Sequence, residues 1–175
     1  YAHEKENAYV ILQTSGKVAK VRQLLQAFLT EDEYNRVIIY SDLRNSYEGL
    51  DALHLQHASE IYVLGENTTT NGGETFHDTM NMRCVNMIAK VLIEEKKRRK
   101  DLQKVVCKVL FEYQTTYSIF QFSDVATEVK EAMHFIPFNR YESWARRVIV
   151  DNHALALIDE NDKQCEHAKE HENKV

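Results

Sequence analysis

Five short apolar runs punctuate the chain, each followed by a polar break and then a stretch whose apolar residues recur every three to four positions. The runs are Tyr9-Val10-Ile11-Leu12, Val37-Ile38-Ile39-Tyr40, Ile61-Tyr62-Val63-Leu64, Val105-Val106-Cys107-Lys108-Val109-Leu110 and Met133-His134-Phe135-Ile136. Near-continuous runs rich in β-branched residues are how strands buried on both faces of a parallel sheet read. Their alternation with helical stretches predicts an α/β fold, a doubly wound parallel sheet with helices on both faces. Ligands of such sheets sit beyond the carboxyl ends of the strands. Function is therefore expected in the segments after Leu12, Tyr40, Leu64, Leu110 and Ile136.

The pattern places strands at 8–14, 36–41, 60–65, 104–112 and 133–137. Lys17 to Leu29 carries Val18, Val21, Leu24, Leu25 and Phe28 on one helical face, and the acidic break Glu31-Asp32-Glu33 follows it. Tyr47 to Gln56 reads as a short helix with Leu50, Leu53 and His54 inward. Asn67 to Gly73 is a polar break rich in turn formers. Thr75 to Lys100 is the longest predicted helix, with Met80, Cys84, Met87, Ile88, Val91 and Leu92 along one face. Ser118 to Phe122 is a short helical piece and Glu142 to Leu157 a last helix. One domain is expected over 1–157, and a polar C-terminal helix or tail over 158–175.

Composition narrows the classes of function. At 175 residues and 43% hydrophobic, the chain can bury one good core. A formal charge of -5 and a pI near 5.9 give no electrostatic reason to expect nucleic acid. The basic run Lys96-Lys97-Arg98-Arg99-Lys100 closes a predicted helix, where cations suit the dipole. Three cysteines, Cys84, Cys107 and Cys165, show no paired spacing, which argues against a disulfide framework and fits a reducing compartment. No stretch approaches the roughly 18 apolar residues of a membrane span, and no signal peptide is visible. With Tyr1 in place of an initiating Met, the chain reads as a piece of something longer, so membrane segments are to be sought outside it.

The first strand-helix turn, Gln13-Thr14-Ser15-Gly16-Lys17, decides what phosphate chemistry is open to the fold. Gly16 is its one glycine, where a dinucleotide turn has three. Thr14 and Ser15 have hydroxyls and Lys17 a cation, so the turn reads either as a simple helix cap or as an anion site at a helix N-terminus. Asp42 ends the second strand, where a carboxylate can hold a ribose diol, and Arg44 follows it; a turn aspartate is the competing reading.

The segment from Asp42 through Leu55-Gln56-His57-Ala58-Ser59-Glu60-Ile61-Tyr62-Val63-Leu64-Gly65-Glu66, then His77-Asp78-Thr79-Met80-Asn81-Met82-Arg83-Cys84-Val85-Asn86-Met87-Ile88-Ala89, resembles the RCK (TrkA-N) family. Phe138-Asn139-Arg140-Tyr141-Glu142-Ser143-Trp144-Ala145-Arg146-Arg147-Val148 extends the likeness, more narrowly toward the CASTOR/POLLUX-like ion-channel branch. The resemblance covers residues 8–150 and implies a Rossmann-like regulatory domain of a potassium or other cation channel or transporter. It implies no enzyme but a sensor, pairing as a homodimer or ring oligomer and coupled to a membrane pore domain in the same or another chain. A cytoplasmic place at the inner face of a membrane goes with it. By position in the pattern, a ligand such as NAD or another nucleotide, or an ion, would lie across Thr14, Ser15, Gly16, Lys17, Asp42, Arg44, Gly65 and Glu66.

Other residues read more plainly. Asp78 is expected to cap the long helix, and His77, His54 and His57 to pack or cap. Cys165-x-His167-x-x-x-His171 has ligand-like spacing, but in so polar a tail a solvated helix is the reading adopted. Two alternatives to the sensor stay open: a ligand-free assembly module with a degenerate site, and an NAD-dependent oxidoreductase, for which no catalytic set is distinguishable.

Overall fold

The computed structural model describes residues 8–43, 45–65, 73–99, 101–122, 125–143 and 145. Its elements run β1 (Val10–Thr14), α1 (Val18–Phe28), α2 (Glu31–Tyr34), β2 (Val37–Ser41), α3 (Tyr47–Asp51), a 3-10 turn (Leu55–His57), β3 (Glu60–Val63), α4 (Gly73–Arg98), β4 (Val105–Phe111), α5 (Gln114–Phe122), α6 (Thr127–Ala132) and β5 (Met133–Asn139). All five expected strands form, and every strand pair is parallel. The result is a mixed α/β fold with helices packed on parallel strands, compatible with a Rossmann-like arrangement.

The sheet is not one continuous ladder. Strands β1 and β2 pair in one sheet, and β3, β4 and β5, in that order, form a second. The crossovers from β3 to β4 and from β4 to β5 step in the same direction, so right-handed connections lay α4, α5 and α6 on one face. That face carries the core. Ile61, Val63, Val105, Cys107, Val109, Phe111 and Met133 are buried there against Val85, Ile88, Val91 and Leu92 of α4 and Val129 of α6. Each large side chain buried this way contributes about 1.5–3 kcal/mol.

The expectation of strands buried on both faces is therefore corrected. Burial along β4 alternates strictly, with Val106, Lys108 and Leu110 only half-buried between buried neighbours. Tyr62 lies opposite Lys108 in register, and the Lys108 ammonium is 2.8 Å from Glu60 Oε2, 3.0 Å from Tyr62 Oη and 5.0 Å from the Tyr62 ring centroid. The hydrogen bond to Glu60, helped by that to Tyr62, holds the lysine above its ordinary pKa.

The β1–β2 unit is packed more lightly. Neither α1 nor α2 has a buried residue, and Ile11 and Ile38, opposite each other in register, are 49% and 53% exposed. Phe28, on the apolar face of α1, is 80% exposed.

Local differences have local causes. The acidic break Glu31-Asp32-Glu33 is helical because Thr30 and Glu33 form a capping box: Thr30 Oγ1 accepts from Glu33 N, and Glu33 Oε2 accepts from Thr30 N at 2.8 Å. The helix expected over Tyr47 to Gln56 ends at Asp51, and the chain turns through His54, which takes a left-handed φ of 50° and is exposed, not inward. Helix α6 was not expected. Residues 140–143 and 145 are helical, and the rest of the last predicted helix and the tail 158–175 lie outside the described residues.

Candidate functional site

Four polar residues are buried among the described ones, His77, Asp78, Asn81 and Asn139, and all four meet at the carboxyl ends of β3, β4 and β5. Residues 78 and 81 are three apart on α4, so they share a face, and both reach the end of β4. Asp78 Oδ1 accepts from Glu112 N at 2.8 Å and its Oδ2 from Tyr113 N at 3.0 Å. Asn81 Nδ2 donates to the Leu110 carbonyl at 2.8 Å. A carboxylate takes the two amides and an amide group takes the carbonyl, which suits the pattern Asp-x-x-Asn. All three partners are backbone groups at the end of a strand, where the ladder gives out.

Asn139 does the same for β5. Its Nδ2 donates to the Phe111 carbonyl at 2.9 Å, and its Oδ1 accepts from Tyr141 N at 2.9 Å and Glu142 N at 3.1 Å. It thus fastens the end of β5 to that of β4 and starts the helix that follows. Sequence reasoning missed Asn139, although Asn139-x-x-Glu142 is the spacing of a helix start and was the signal available.

His77 completes the cluster. Its Nδ1 lies 3.2 Å from Asp78 Oδ1 and its Nε2 3.1 Å from the Leu64 carbonyl oxygen, so α4 is tied to the end of β3. Asp78 is not the helix cap that was expected. It lies inside α4, which begins at Gly73, and its carboxylate is directed across to β4.

The expected site residues divide between the two sheets. At the end of β1, Thr14 Oγ1 accepts from Gly16 N at 3.0 Å, a local turn in which the hydroxyl is turned inward on its own loop. Ser15 and Gly16 are exposed, and Lys17 is the N-cap of α1 with no side-chain cap bond. Neither Thr14 nor Ser15 stands at the N-cap position, which Lys17 holds. Asp42 is brought close to this turn, since its N donates to the Thr14 carbonyl at 3.2 Å. Its carboxylate faces elsewhere: Oδ1 accepts from Leu43 N at 2.7 Å and Oδ2 lies against Gly49 in the first turn of α3.

Gly65 stands at the end of β3 in the other sheet, with φ of +79°. A Cβ there would strike His77 Nε2 and come within 2.8 Å of Asn81 Oδ1. The left-handed backbone and the packed imidazole both require glycine. Gly65→Ala is expected to cost about 2 kcal/mol or more. The denaturant midpoint reads this, and an unchanged midpoint would show that the end of β3 yields to the methyl group. Arg44 and Glu66 lie outside the described residues.

Chemically, the cluster is a closed network. Both oxygens of Asp78 are engaged by amides, which takes it out of the running as a general base. Burial, with Cys84 nearby, pushes the Cys107 thiol up to about 12, so this cysteine is a core side chain and not a nucleophile. No group of three or more His, Cys, Asp or Glu among the described residues could hold a metal ion, and the Cys165, His167, His171 set lies outside them. No helix among the described residues is long and apolar enough to cross a membrane. Comparison with known proteins finds no matching family model, no matching curated protein and no matching solved structure.

Proposed function

We propose that this chain is a regulatory domain of the RCK type, sensing a ligand or assembling copies of itself for a cation channel or transporter whose pore lies in the same or another chain. The observation that carries the reading is the Asp78-x-x-Asn81 pair. Those two residues, part of the segment on which the family resemblance rests, help build the carboxyl edge of the three-stranded sheet, where ligands of such folds bind. Regulation needs a difference in affinity between two states, not a catalytic group. The exposed apolar residues of the β1–β2 unit, Ile11, Ile38 and Phe28 among them, support homo-oligomer formation.

The test is thermal unfolding of the purified chain against NAD, NADH, ATP, ADP, cyclic dinucleotides and divalent cations, with light scattering in the same buffers. A ligand at 100 times its Kd adds about 2.7 kcal/mol, which raises Tm by several degrees. A shift lost in Lys17→Ala makes the domain a sensor with its site at the β1 turn.

A second reading, a ligand-free assembly module, is favoured by Asp42. Its carboxylate is occupied by the Leu43 amide and packed against Gly49, where a ribose-binding residue would present it outward. A stable oligomer with no thermal shift from any of these ligands would select that reading.

A further inference from the structure

The sheet of β3, β4 and β5 has one face covered and one open. Helices α4, α5 and α6 pack on the inner face. The outer face is built in register, with Val106 opposite His134, Lys108 between Tyr62 and Ile136, and Leu110 opposite Phe138. Tyr62 and Ile136 are 41% and 42% exposed, and Val106, Leu110 and Phe138 are half-buried. The charges on this face, Lys108 and Glu60, pair with each other at 2.8 Å, so most of what it still presents is apolar. Parallel sheets are covered on both faces. Helix α1 is not the missing cover, since it has no buried residue.

Size decides what fits. Strands about 4.8 Å apart and rising about 3.3 Å per residue give three strands of at most seven residues a footprint of about 14 by 23 Å. That is less than half of the roughly 800 Å² that each partner brings to a standard protein interface. It suits one helix, about 10 Å across. The chain supplies a candidate at the right place. Asn139 Oδ1 accepts from Tyr141 N and Glu142 N and starts a helix at the carboxyl end of β5, the strand that borders this face. In the sequence that follows, beyond the described residues, Trp144, Ala145, Val148, Ile149 and Leu155 share one helical stripe. A helix from 142 to 157 is about 24 Å long, the length of β5.

We propose that the outer face of this sheet is the seat of residues 144–157 of the same chain, laid along β4 and β5 with that stripe inward. The inner face is filled by α4, α5 and α6, so the outer one is what remains open to a helix leaving β5. Seated there, the segment turns Tyr62, Ile136 and Phe138 from surface into core. The β1–β2 unit is then the apolar surface left for other copies. A sensor and an assembly module need this cover alike, so the inference stands apart from the choice between them.

Trp144 is the single tryptophan of the chain, so its fluorescence reads the segment by itself. In the full chain the expected result is blue-shifted emission, weakly quenched by acrylamide and unchanged on dilution. Ile136→Asp, on the outer face, should move the emission to the red and raise the quenching several-fold, whereas Phe28→Asp, exposed on α1, should do neither. A tryptophan exposed in the unmodified chain overturns the proposal, as does an emission that Ile136→Asp leaves unchanged while circular dichroism shows the fold kept. Protection that disappears on dilution, with light scattering passing from dimer to monomer, also overturns it, because a second copy then covers the face. Should Ile136→Asp not fold, Val148→Asp takes its place. It alters the segment alone, and the absence of a red shift in it overturns the proposal equally.

Discussion

Replacing Asp78 with alanine is expected to lower the unfolding free energy by about 3–5 kcal/mol, because several buried donors lose the acceptor they share. Three donors lose their acceptor at once: the Glu112 and Tyr113 amides, and the Nδ1 of His77. Each buried group left without a partner carries a desolvation cost of about 1–3 kcal/mol, reduced where the space vacated admits water. Asp78→Asn is the informative companion. It keeps the shape and one acceptor oxygen but sets an NH2 against a backbone N–H, so most of the loss should remain. Urea denaturation followed by circular dichroism measures both. A loss below about 1 kcal/mol for Asp78→Ala would show that the ends of β3, β4 and α4 are fastened by packing and not by this carboxylate.

Phe111→Ala is expected to cost about 3–5 kcal/mol. Phe111 is fully buried at the end of β4, and its ring stacks on Phe120 of α5 at 5.1 Å between centroids and meets Phe135 of β5 edge-on at 6.4 Å. Phe120 and Phe135 also touch each other edge-on at 6.0 Å, so the three rings form one closed contact. Removing the central ring leaves a cavity that β4, held on both sides by ladders, cannot close by moving. Phe122, two residues along α5 from Phe120 and so on the other side of the helix, is 83% exposed, and Phe122→Ala should change stability by no more than about 0.5 kcal/mol. The contrast between two phenylalanines tests the packing and not the residue type. Equal effects would mean that α5 does not seat on the sheet as described.

These two changes and Gly65→Ala act on the same corner of the molecule, since Gly65, His77, Asp78 and Asn81 share contacts and the end of β4 runs on to Glu112. Their costs should not add. A double variant Gly65→Ala with Asp78→Ala is expected to lose less than the sum of the singles, as neighbours in one network do.

The sequence by itself determined the five strands, the two longest helices and most of what is local. Strand runs such as Val105–Phe111 and the long helix over Gly73–Arg98 were legible because apolar spacing repeats along a contiguous segment, and that spacing is a property of the backbone period. The inward stripe of α4 was legible for the same reason: Cys84, Ile88, Val91 and Leu92 are buried as their spacing requires. Helix α6 was hidden because six residues give less than two turns of periodicity.

What only the tertiary structure decided is which groups meet across long separations. That Asp78 accepts from amides 34 and 35 residues away, and Asn81 donates to a carbonyl 29 residues away, cannot be read from a pattern of short range. The direction of Asp42 belongs to the same class. Its position at the end of β2 was visible in the sequence, but whether its carboxylate faces solvent or Gly49 depends on where α3 packs. The division into two sheets, and the one-faced burial that leaves Val106, Lys108 and Leu110 half-covered, likewise depend on which strand edges pair. Apolar character fixes that a side chain seeks cover, and pairing geometry fixes which cover it finds.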